Sequence, residues 1–167
     1  MNTSIQSRMG NDAAALRSLR VAQKLDPYYA EAWVNEAREF QRHNRIDEAI
    51  RSYRTAIERA PANEKALIEF VTLCNQSDRA ERCRSFAERL VALNPKSIQA
   101  HIVFGNTLTL LRDYPKAEII LTKAAALSNG RSAEALMLLA QVVSNLGRDD
   151  EALSLIDKSL ALKPDYV

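Results

Sequence analysis

Ala15, Ala49, Cys83, Ala117 and Ala152 stand 34, 34, 34 and 35 residues apart, and Pro27, Pro61 and Pro95 keep the same 34-residue step. A chain that returns to a small residue at so fixed an interval is built from one unit used several times. The context of each small residue recurs as well. Leu19, Tyr53, Ala87, Leu121 and Ile156 follow four residues later, and Ala22, Ala56, Leu90, Ala124 and Ser159 three after that. Steps of four and three keep side chains on one face of a helix. Each unit has room for two helices. In the clearest one the first is predicted from Ala30 to His43 and the second from Ile46 to Ala60, with Pro61 ending it because it has no backbone N–H to donate. Further turns are expected at Gln76–Asp78, Arg112–Tyr114 and Leu146–Asp149, with Gly147 suited to a left-handed residue.

Composition agrees with helices. Four Gly and five Pro in 167 residues leave little for strand-and-turn architectures, and Ala, Leu, Arg and Glu are abundant. The first 96 residues carry 16 Lys and Arg against 13 Asp and Glu, far less positive charge than a nucleic-acid binder concentrates. No apolar run approaches the roughly 18 residues that span a bilayer. The opening residues lack the apolar core of a secretory signal, so a complete chain is expected in the cytoplasm.

The second helices carry Ala49, Tyr53, Ala56 and Pro61, and the first helix before them Trp33, Ala37 and Phe40, with Glu36 in place of an apolar residue. The next unit has Leu67, Phe70, Val71 and Cys74, then Cys83, Ala87, Leu90 and Pro95; the third has His101, Phe104, Gly105, Leu108, Ala117, Leu121 and Ala124. The fourth offers Leu136, Leu139, Ala140, Val143, Gly147, Ala152, Ile156 and Pro164. This pattern resembles the tetratricopeptide repeat, a 34-residue helical hairpin.

The resemblance implies an all-α, right-handed superhelical solenoid of antiparallel helix-turn-helix hairpins. One array would fill residues 1–167, with residues 10–27 as the second helix of a partial repeat and repeats at 30–61, 64–95, 98–130 and 133–164. Solenoids end in polar caps. The last hairpin has none in the sequence, so the chain is expected to be a segment of a longer array, or else to self-associate through that C-terminal end.

By the family's geometry the concave wall is lined by first helices. The inward residues there would include an apolar ladder of Val34, Ile68, Ile102 and Met137. Beside it run Thr72, Asn106 and Gln141, with Asn75 and Asn145, whose amides and hydroxyls suit a peptide backbone. Arg38 and Arg42 lie one turn apart and could grip an acidic side chain; a solvated face is the alternative. The implied function is a non-catalytic scaffold or adaptor that binds a peptide or protein segment in the groove. The alternative is the substrate-recruitment region of a larger enzyme such as a glycosyltransferase.

No cofactor, metal site, nucleic acid or membrane insertion is expected. There is no Gly-rich phosphate loop, no GxSxG and no paired CxxC, and no residue is assigned a catalytic role. His101 falls at a packing position, and His43 at a helix end where a positive charge complements the dipole. Cys74 and Cys83 are expected to be reduced, structural thiols.

Overall fold

The computed structural model describes residue 14 and residues 16–26 and 28–163. Of the positions named above, residues 10–13, Ala15, Pro27 and Pro164 lie outside the described residues. Residues 16–25 are helical. Eight helices follow: α1 (Ala30–Arg42), α2 (Ile46–Arg59), α3 (Glu64–Gln76), α4 (Ala80–Leu93), α5 (Ile98–Leu110), α6 (Tyr114–Leu127), α7 (Ala133–Asn145) and α8 (Asp149–Leu162). The described residues contain no strand, and no helix among them is long and apolar enough to cross a membrane.

Contacts divide the chain into two compact units, Met1–Leu73 and Cys74–Val167, with the division falling inside α3. In the first unit α1 and α2 pair as a hairpin. Ala37, Ala49 and Ala56 lie at 0% exposure, and their methyl groups let the two backbones come close. In the second unit α5 pairs with α6 and α7 with α8, α4 lies on α5, α6 on α7, and α5 also touches α7.

The turn inside each hairpin is made the same way. Asn44, Asp78, Arg112 and Gly147 all take positive φ, between 56° and 79°, and they keep the spacing of the small residues. The following residue's N–H reaches back to a carbonyl of the last helical turn: Arg45 to Phe40 at 2.8 Å, Arg79 to Cys74 at 2.9 Å, Asp113 to Leu108 at 2.9 Å and Arg148 to Val143 at 3.1 Å. This bond satisfies carbonyls that a helix end leaves without partners. At the first turn the Arg45 guanidinium also lies 4.5 Å from the centre of the Phe40 ring.

The starts of three first helices, α3, α5 and α7, repeat too; α1 follows Tyr29, which makes no such bond. Asn63 Oδ1 accepts from the N–H of Ala66, Ser97 Oγ from that of Ala100 and Ser132 Oγ from that of Ala135, at 3.1–3.2 Å. Each satisfies one donor of a helix N-terminus.

Cys74 and Cys83 are not reduced thiols in the structure. They form a disulfide between the end of α3 and the start of α4, with Cα atoms 6.3 Å apart. The physical reason lies in where they stand on the hairpin. Both are fully buried, Cys83 where other repeats put Ala49, Ala117 and Ala152 and Cys74 where they put Phe40, Leu108 and Val143, so the packing of α3 on α4 brings their sulfurs together.

Candidate functional site

In the first unit Arg38 has a partner already. Its Nε and Nη2 donate to the two carboxylate oxygens of Glu69 at 2.8 and 2.6 Å, and its Nη1 donates to Asn35 Oδ1 at 2.9 Å. The Tyr53 hydroxyl lies 3.0 Å from Gln41 Oε1 and 3.1 Å from Glu69 Oε2, its one proton directed at these acceptors. Burial pushes the Glu69 carboxyl up, but the hydrogen bonds and charge of Arg38 outweigh it and hold the group below its ordinary value. The same bonds raise Arg38. Burial first, and then the Glu69 charge, push the Tyr53 hydroxyl up. Arg38 therefore serves to tie α1 to α3, a bidentate pairing of fixed geometry, and the expected grip on a ligand's acid is occupied from within. Arg42 is exposed and donates to Glu39 Oε2 at 2.7 Å.

A pH dependence follows. A carboxyl held low in the folded state stabilises it above the unfolded pKa, near 4.3, and that stability is lost as pH falls through the lower folded value. Glu69→Gln is expected to unfold in less urea than the parent at pH 7, by about 1 kcal/mol for a partly exposed pair. At pH 3 the difference should shrink; a constant difference would mean that the ion pair is not its source.

The rest of the expected apolar ladder separates into two kinds of position. Val34 is 1% exposed and Ile102 is 3% exposed, so both are core and cannot take a ligand side chain. Ile102 closes against Ala124 and Ala135, with Ile98 and Leu138 packed beside it; α7 lies over it. Ile68 and Thr72 are half-buried. Asn75 is buried as well: its amide nitrogen donates to Val103 O at 3.4 Å, and Thr107 donates to its Oδ1 at 3.1 Å. It joins α3 to α5 and does not face solvent. Asn106 is half-buried.

Met137, Gln141 and Asn145 are brought together. With Ser144, Ala140 and, from α8, Asp149, Ala152, Leu153 and Ile156, they line a cleft of about 590 Å³ on the last hairpin. Met137 and Ile156 are half-buried, Gln141 and Asn145 exposed. Leu153, which the sequence did not single out as a site residue, is 60% exposed. Asn145 donates back to its own helix, to Gln141 O at 2.7 Å, and Ser144 donates to Asp149 Oδ1 at 2.8 Å. What remains is an apolar floor with an acidic edge and the amide of Gln141 at its rim.

His101 lies in the core. It is fully buried, and its Nδ1 lies 2.8 Å from Ser97 O. A carbonyl can only accept, so Nδ1 carries the proton, and Nε2 is left without a partner among the described residues. Among those residues there is also no cluster of three His, Cys, Asp or Glu side chains fit to hold a metal ion.

Models of the tetratricopeptide repeat match residues 30–63 and 110–167, together more than half of the chain. No curated protein sequence matches it. Among solved structures it is similar to YrrB, a TPR protein with an unusual peptide-binding site, at 18% identity over 98% of this chain and 84% of that one, with a TM-score of 0.79. It is similar to MamA from Desulfovibrio magneticus RS-1 at 15% identity, over 95% of this chain and 89% of that one, with a TM-score of 0.81. TTC0263, a thermophilic TPR protein of Thermus thermophilus, is 24% identical over 98% of this chain and 89% of that one, with a TM-score of 0.70. Identities this low speak for the fold alone: all-α, a solenoid of repeated helical hairpins. With the four turns, the Ala crossings and three capped first helices in one register, and the repeat's models matching more than half of it, the chain belongs to the tetratricopeptide repeat family.

Proposed function

We propose that this protein is a non-catalytic adaptor that binds a segment of another protein, and that in its second unit the working surface is the cleft between α7 and α8. A tetratricopeptide fold supports a protein-interaction scaffold. The observation that carries the assignment to this cleft is the coincidence of three first-helix residues, Met137, Gln141 and Asn145, with an open space of about 590 Å³. Elsewhere the equivalent first-helix residues Val34 and Ile102 are enclosed. An exposed Leu153 beside a half-buried Met137 and Ile156 gives a ligand apolar area to cover, and the Gln141 amide can both donate and accept.

A photo-crosslinking side chain at Gln141 tests this, with one at exposed Lys123 of α6 as the reference. Position 141 is expected to join protein partners in a way that excess unlabelled chain suppresses. Crosslinks from position 123 alone would overturn the assignment.

A further inference from the structure

Three of the four hairpins carry the same kind of pair on either side of the inner turn. A large apolar residue sits two places before the end of the first helix, and an alanine is the fourth residue of the second. These are Phe40 and Ala49, Leu108 and Ala117, and Val143 and Ala152, all buried. The α3–α4 hairpin has Cys74 and Cys83 at those places, both at 0% exposure and joined as a disulfide. A cysteine side chain is smaller than Phe, Leu or Val. Without the bond this hairpin has less side-chain volume at the site than the other three use to fill it, and protein interiors hold together by filling such space. Its closure leans on a bond that can be broken and remade, where the others rest on packing.

What the bond holds is concentrated on Cys74 and its neighbour. The Cys74 carbonyl accepts from the N–H groups of Ser77 and Arg79 at 3.3 and 2.9 Å and lies 3.4 Å from the Ser77 hydroxyl, which donates to it. One backbone group therefore closes the turn. The next residue, Asn75, is the buried tie to Val103 and Thr107 of α5. Between the two cysteines Gln76 and Asp78 are exposed, and Asp78 is held at a φ of 56°. The bridge spans nine residues and a single turn, so its loss acts on that turn first. Opening of the turn is a local event, and it is the route by which a small thiol reaches sulfurs that the closed hairpin encloses.

We propose that Cys74 and Cys83 are a thiol–disulfide switch that closes and opens the α3–α4 hairpin. In the closing direction one cysteine thiolate attacks a small disulfide, of the glutathione disulfide class, and expels one thiolate. The other cysteine then attacks the mixed disulfide and expels the second. One S–S bond forms as one breaks, two electrons pass to the small disulfide, and the two cysteine protons end on the two departing thiols. A small dithiol runs the reverse: it leaves as a disulfide, and the cysteines regain two protons and two electrons. In the reduced hairpin the turn loosens around the Cys74 carbonyl, and Asn75 loses its fixed place on Val103 and Thr107. Oxidising surroundings keep such a bond and thiol-rich ones remove it, so the hairpin follows the redox state around it. The switch stands apart from the adaptor function: it lies on other helices than the α7–α8 cleft and holds whether or not that cleft binds.

Hydrogen exchange of the whole chain, read by mass spectrometry beside a count of free thiols in denaturant, tests it. Equilibrated with glutathione disulfide, the protein is expected to show no free thiol, and after dithiothreitol two. Reduction should speed exchange over residues 75–83 by about tenfold or more, leave α7 and α8 unchanged, and reverse when glutathione disulfide is restored. Two free thiols after the oxidising treatment would overturn the proposal. So would equal exchange in the two states. Faster exchange through α7 and α8 as well would make the bond a staple of the whole unit, and the switch would be wrong. Cys74→Leu with Cys83→Ala gives this hairpin the side chains of Leu108 and Ala117. That variant should exchange as slowly as the oxidised parent and ignore dithiothreitol; a response to the reductant would place its action elsewhere and sink the switch. Should the variant fail to fold, the two states of the parent still decide.

Discussion

Gly105→Val will lower the unfolding free energy by roughly 1–3 kcal/mol, the usual cost of forcing extra carbon into a packed crossing, and Leu121→Ala in the same chain will restore part of it. A Cβ built on Gly105 lies 2.5 Å from both Cγ and Cδ2 of Leu121, closer than carbon atoms can stand. Leu121 is fully buried, so it has no solvent to swing into, and α5 and α6 must separate instead. Leu121→Ala alone opens a cavity and should cost about 2–5 kcal/mol. In the double variant the valine methyls enter the space the leucine leaves. The two effects should therefore fall short of their sum, with a coupling of about 0.5–3 kcal/mol. Urea unfolding of the four proteins measures it. Additive losses would mean that the two side chains do not meet. Gly105→Ala is the gentler control, since Ala in mid-helix gains roughly 0.5–1 kcal/mol over Gly against the same contact.

That crossing was legible in the sequence because it is periodic. Gly105 falls where Ala37 and Ala140 fall, and a small residue there marks a close backbone approach, with the bulkier Val71 as the exception. The turns were legible for the same reason, but the left-handed residue was named only at Gly147. Asn44 and Asp78 are types that tolerate positive φ; Arg112 is not, and it is held there by the hydrogen bonds that close the helix end. The caps Asn63, Ser97 and Ser132 keep the repeat spacing and were readable by the rule that a Ser or Asn precedes a helix, yet the period of the apolar face hid them. The disulfide was not readable, since spacing alone does not say whether two buried positions on facing helices come within bonding distance. Neither was the Arg38–Glu69 pair, whose members are 31 residues apart on different helices. A helical face says which way a side chain points. It does not say whether another hairpin lies on top.

Ile102→Glu and Met137→Glu put the same change at equivalent positions and should do opposite things. Ile102 is enclosed by α7, so a carboxylate there is buried without a partner. It either stays charged in a dry site or takes up a proton at a cost, and the loss is on the order of 3–5 kcal/mol. Lowering the pH to 4 should return part of that stability, because burial favours the neutral acid. Met137 faces the cleft, so its glutamate keeps its water. Thermal melts should place Met137→Glu close to the parent and Ile102→Glu far below it, while crosslinking from Gln141 is lost in Met137→Glu although it remains folded. A binding defect in Ile102→Glu then reports only on unfolding. Equal melting temperatures for the two would mean that α7 does not cover α5, and that one shared surface runs along both first helices.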